Sequence, residues 1–144
     1  MLDGRLRPGN AGTADGALDV APDVVDRAQA GLCKVAMVRM DAGFPSATLQ
    51  AGLEARNIDD VARLRANPAL DREAAPYMKR PRGRRPHMPR LWTHVLQYRA
   101  ESWDRPCRVI LVVKERPDDL LLDRFFLVTS LTWRQMTSCE VLEH

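Results

Sequence analysis

The chain has 144 residues, 45% hydrophobic and 28% charged, with a formal net charge of +3 and a pI near 9.0. These values describe one soluble domain or part of one. They exclude a membrane-spanning chain, since the unbroken apolar stretch Val109 to Val113 is far too short to cross a bilayer. Met1 to Asn10 is polar and carries Asp3, Gly4 and two arginines, so it does not read as a secretion signal, and the expected location is cytoplasmic.

Residues 6–15 (LRPGNAGTAD) form a polar, glycine-rich loop. Asp15 to Ala30 reads as a helix, with Pro22 starting or kinking its regular part and Gly31 at the C-terminal glycine position. The run Lys34 to Arg39 reads as a strand, apolar enough for the middle of a sheet covered on both faces. It ends at Asp41, followed by a glycine turn, and Ser46 is the expected N-cap of a helix to about Arg56 that Asn57 stops. Asp60 to Leu64 is a second strand. Strand, helix, strand in this order predicts two parallel neighbours joined by a right-handed crossover.

Past Asn67-Pro68 the character changes. Ala69 to Tyr77 reads as a short helix, and Pro81, Pro86 and Pro89 exclude regular structure between Lys79 and Arg90. Strands are expected at residues 93–98, 108–115 and 124–131, with a turn at Pro117-Asp118-Asp119. Thr137 or Ser138 caps a final helix, and its interruption at His144 is read as a truncation. Cys33, Cys107 and Cys139 are widely spread and read as buried free thiols. The three histidines have no ligand spacing. Trp92, Trp103 and Trp133 read as core residues, with base stacking as the sharper alternative. There is no dinucleotide glycine motif, phosphate-loop lysine or nucleophile-elbow serine.

Two features carry chemistry. Asp41 stands at the exit edge of its strand, where open α/β sheets place their sites and an acid can hold a metal ion; the bland alternative is an Asp in a turn. Lys79, Arg80, Arg82, Arg84, Arg85 and Arg90 fall within twelve residues that contain no acid. They read either as a solvated loop or as contacts to nucleic-acid phosphates.

Four segments carry a family resemblance: Arg7-Pro8-Gly9-Asn10 with Ala14-Asp15-Gly16; residues 38–44 (VRMDAGF); residues 61–67 (VARLRAN); and residues 126–131 (FLVTSL). Through them the chain resembles the DDE transposases of bacterial insertion sequences, truncated at both ends. The resemblance implies an α/β fold that is a partial ribonuclease H-like core with a β-rich insertion. It divides the chain into core at 1–68, a basic linker at 69–90, the insertion at 91–136 and the start of the last core helix at 137–144.

In that family three carboxylates hold two divalent ions, Mg²⁺ or Mn²⁺, and Asp41 matches the second carboxylate. The first has no counterpart, and Glu140 and Glu143 sit too early for the third. An in-line displacement at phosphorus needs two ions roughly 3.5–4 Å apart, so one aspartate would bind metal weakly and catalyse little. The implied partner is double-stranded DNA, both transposon ends and target, with no membrane and with a homo-oligomer for the full-length form. The implied function is metal-dependent DNA cleavage and strand transfer, inactive in this chain alone. A non-catalytic remnant and an unrelated small basic nucleic-acid-binding protein stay open beside it.

Overall fold

The computed structural model describes residues 17–31, 34–42 and 46–143. The glycine-rich loop, Cys33 and the turn residues 43–45 lie outside the described residues. Helix α1 (Ala17–Gly31) is continuous through Pro22 and buries Val25 and Ala28. Strand β1 is short (Met37–Met40), and helix α2 (Ala47–Glu54) follows. Ser46 caps α2 as expected, its Oγ accepting the Leu49 N–H at 3.2 Å. Asn57 ends the helix in the left-handed region at φ 53°. The Ile58 N–H then reaches the Leu53 carbonyl and the Asn57 N–H that of Glu54, the paired bonds of a Schellman stop. Leu53 and Ile58 are both buried with Val25 and Leu49, so the stop and the packing of α1 on α2 reinforce each other.

Strand β2 (Asp59–Leu64) runs parallel to β1, as the strand–helix–strand order predicts, with Arg39 beside Val61. Helix α3 (Pro68–Ala74), capped by Asn67, runs into a 3₁₀ turn at Ala75–Tyr77. Strands β3 (Arg90–Tyr98), β4 (Cys107–Glu115) and β5 (Asp123–Thr129) form an antiparallel meander. The last helix, α4 (Ser138–Glu143), opens on a reciprocal cap: the Glu140 carboxylate accepts from the Thr137 N–H, and Thr137 Oγ1 accepts from the Glu140 N–H.

These pieces make one α/β arrangement, a five-stranded mixed sheet in the order β1-β2-β5-β4-β3. β2 is hydrogen-bonded to β5 in antiparallel register, so the first two strands and the meander share one sheet. Leu70 and Ala74 of α3 cover one face with Val109, Leu111, Val113, Phe126 and Val128. Val141 of α4 covers part of the other, over Val61, Ile110, Val112 and Leu127.

The expected central position of the first strand is corrected. Among the described residues β1 lies at the sheet edge, with Arg39 exposed and its neighbours only half-buried. Val38 and Met40 pack on the side of α1 and α2, whereas Met37 packs on the other face with the cluster of Val61 and Val141. The strand buried on both faces is β4, where residues 109–113 are all inaccessible.

Candidate nucleic-acid and metal site

The parallel pair β1 and β2 ends on one side of the sheet, and the antiparallel β5 and β3 begin there. Asp41 follows the Met40–Ala62 pair and therefore stands beside Arg63. Its side chain is exposed and its Oδ1 accepts the Ala42 N–H at 2.7 Å, a turn-type bond that leaves the second oxygen available. Two adjoining openings, of about 330 and 560 Å³, share Asp41, Arg63 and Phe125. Arg39 lines one of them, and Arg65 and Arg124 line the other.

Among the described residues no group of three His, Cys, Asp or Glu side chains could hold a metal ion. Asp41 can offer one ligand, but it faces guanidinium groups, and neighbouring positive charge opposes a cation there. These residues do not by themselves form a two-ion cage.

The arginine-rich segment reaches the same end of the sheet, and its six cations divide into two sets. Arg80 and Arg90 bracket the loop and both bind Glu115, at 3.2 and 2.5 Å. Glu115 is 1% exposed at the end of β4. Arg80 also donates to the carbonyls of Asp119 and Leu120. Lys79, Arg82, Arg84 and Arg85 are exposed, and none is paired with an acid among the described residues. Sequence spacing did not separate these sets, because the buried acid lies on a strand remote in the chain. A glutamate closing an apolar strand was the available signal.

The opposite end of the sheet holds a pocket of about 270 Å³ between α2 and the ends of β2, β4 and β5. Asp60 is 2% exposed there, and Gln50 Nε2 donates to its Oδ2 at 3.1 Å. Burial raises the Asp60 carboxyl above its ordinary value, and the hydrogen bonds from Gln50 and Ser130 oppose that shift. Thr129 Oγ1 donates to the Asp60 carbonyl, and the Asp60 N–H donates to Ser130 Oγ. At the rim Arg105 binds Glu54 at 2.6 Å. Asp60 was not among the sequence candidates, since an Asp at a strand start carries no distinguishing pattern.

The thiol expectation is corrected where residues are described: Cys107 is half-buried, with burial raising its pKa, and Cys139 is exposed. Of the tryptophans, Trp103 packs edge-on against Tyr98 in the core, whereas Trp133 is 70% exposed beside Arg134. Asp118 and Asp119 form the expected turn, with Asp119 Oδ1 accepting the Leu121 N–H. Among the described residues no helix is long and apolar enough to cross a membrane.

Set against known proteins, the family model described as "Transposase DDE domain group 1" matches residues 1–144. No curated protein and no solved structure matches the chain.

Proposed function

The chain belongs to the DDE transposase domain family, and from that premise we propose that it carries part of a catalytic domain for metal-dependent DNA cleavage and strand transfer. The family assigns it a transposition-related function in general, with DNA as substrate and divalent metal ions as cofactors. The domain division proposed with it is a partial ribonuclease H-like core at 1–68, a basic linker at 69–90, a β-rich insertion at 91–136 whose strands continue the same sheet through the β2–β5 pairing, and the start of a further core helix at 137–144.

We assign Asp41 as one metal ligand of that core. The observation that carries the assignment is its place at the C-terminal end of β1, exposed, beside a parallel neighbour and facing an open, arginine-lined groove. Such a groove suits a phosphodiester substrate better than an isolated cation. Weak Mg²⁺ or Mn²⁺ binding by this chain alone, and no strand transfer by it, follow from one exposed ligand among guanidinium groups. Lys79, Arg82, Arg84 and Arg85 are proposed as phosphate contacts. Arg80 and Arg90 remain in the DNA-binding segment chiefly as the residues that hold its ends.

The test is Mn²⁺ binding to the whole chain, followed by water-proton relaxation with and without duplex DNA. Weak enhancement that strengthens with DNA and disappears in Asp41→Ala supports the assignment. Tight Mn²⁺ binding that persists in Asp41→Ala would show that the metal site lies elsewhere.

A further inference from the structure

Surface arginines in this molecule fall into two classes. Arg56, Arg105, Arg116 and Arg124 each hold a carboxylate partner within 3.4 Å: Asp26, Glu54, Asp123 and Asp71 respectively. Arg39, Arg63 and Arg65 are also exposed, but none is paired with an acid among the described residues. All three line the openings that contain Asp41. Arg63 lies over the Phe125 ring, 5.3 Å from its centroid, a contact that fixes the guanidinium plane without neutralising its charge. Arg124 lines the same groove but is already bound to Asp71, so it adds little net charge.

We propose that Arg39, Arg63 and Arg65 form a second phosphate-binding surface, separate from the arginine loop, that seats one strand of duplex DNA against Asp41. The inference rests on the DNA reading above and adds the residues that would bring the backbone to that carboxylate. A preorganised, unneutralised guanidinium is the group that phosphate oxygens recognise best, by paired N–H donors in one plane. Phe125 holds Arg63 ready for that role.

The geometry also joins this surface to the loop. From Asp41 to Arg90 the sheet order gives four strand gaps across. The register row beside Asp41 runs through Arg63, Leu127 and Ile110 to Val95, five residues along β3 from Arg90. With strands about 4.8 Å apart and a rise of about 3.3 Å per residue, the separation is on the order of 25 Å. A duplex places successive phosphates of one strand about 3.4 Å apart along its axis, so about seven span that gap. That distance reaches Arg90, the anchored end of the loop, which strand alternation places with Glu115 on the α3 face, whereas Arg39 and Arg63 lie on the α4 face. A duplex that touches both surfaces must therefore lie across this end of the sheet.

Phenylglyoxal, an arginine-selective dicarbonyl, tests this on the unmodified whole chain. Modification is read by mass spectrometry with and without a 25-base-pair random duplex. Protection of Arg39, Arg63 and Arg65 together with Arg82, Arg84 and Arg85 is expected, with Arg72 unchanged. Protection confined to the loop would overturn the second surface and leave the DNA reading standing. Protection of neither would overturn both. A salt titration of DNA binding by Arg39→Gln/Arg63→Gln adds an independent measure. Its log–log slope should be shallower by about two, at roughly −0.9 per phosphate contact, and an unchanged slope in a variant with wild-type circular dichroism would refute the inference.

Discussion

The two ends of the sheet differ in how their charges are satisfied. At the end where β1 and β2 finish, Asp41 and seven cations (Arg39, Arg63, Arg65, Lys79, Arg82, Arg84 and Arg85) are exposed and without an opposite-charge partner among the described residues. At the other end the polar groups of the pocket, Asp60, Gln50, Thr129 and Ser130, bond to one another and Arg105 binds Glu54, while the exposed cations Lys34 and Arg99 line no opening described there. Unsatisfied charge in water costs little and remains free to meet a ligand. Buried polar groups must be satisfied within the fold. The contrast separates a face suited to substrate from one that serves folding, although both contain a carboxylate at the end of a strand.

Glu115 is the strongest point at which to break this division, because it is a buried structural acid inside the basic end. Glu115→Ala leaves Arg80 and Arg90 without their shared partner. Those arginines are about one-third exposed, so solvent recovers part of the loss. The expected cost is about 2–3 kcal/mol, measured by urea denaturation, less than a fully buried pair would lose. Glu115→Gln should recover part of it. A loss within about 0.5 kcal/mol, typical of surface substitutions, would mean that the clamp does not hold the loop.

The fold was legible where local chemistry decides it. Ser46, Asn57 and the apolar run of β4 mark their elements in the sequence through capping, left-handed backbone and continuous burial. The position of β1 was not legible. An apolar run reads alike in the middle of a sheet or at its edge, and only pairing partners far along the chain place it at the edge. The same holds for the site. Asp41 stands out beside its turn, whereas the pairing of Arg80 and Arg90 with Glu115, and the grouping of Arg39 with Arg63, depend on strand register. Sequence spacing counted six loop cations alike; the fold ties two of them down.

A second comparison sharpens the basic end itself. Replacing Arg82, Arg84 and Arg85 with Ala should flatten the salt dependence of duplex binding by two to three units, at roughly −0.9 per lost contact. Folding stability should stay within about 0.5 kcal/mol, because these side chains touch no buried acid. Fluorescence anisotropy on random duplex DNA measures the slope, and thermal denaturation the stability. An unchanged slope would remove the loop from the DNA surface and leave it as a solvated connection. Asp41→Ala should likewise leave stability within about 0.5 kcal/mol, since its one bond is to the adjacent N–H in an exposed turn.

The smallest effect is expected at the closed end, and its sign is diagnostic. Burial is the largest influence on Asp60 and raises its carboxyl pKa above the unfolded value near 3.9. The folded state therefore holds this proton more tightly than the unfolded chain. Below the unfolded pKa both states are protonated and no penalty applies. As pH rises through the unfolded value toward the folded one, ionisation favours the unfolded chain and stability falls. Asp60→Asn keeps an acceptor for Gln50 and the local backbone bonds but cannot ionise. Relative to wild type it should gain stability between pH 4 and pH 7, read as a higher Tm, and show almost no difference at pH 3. Gln50→Ala should move wild-type behaviour the other way, since the hydrogen bond it removes favours the ionised form. If Asp60→Asn instead lost stability at pH 7 while matching wild type at pH 3, the ionised carboxylate would be stabilised in the fold. Asp60 would then need a cationic partner, and the closed end would have to be read as a binding site.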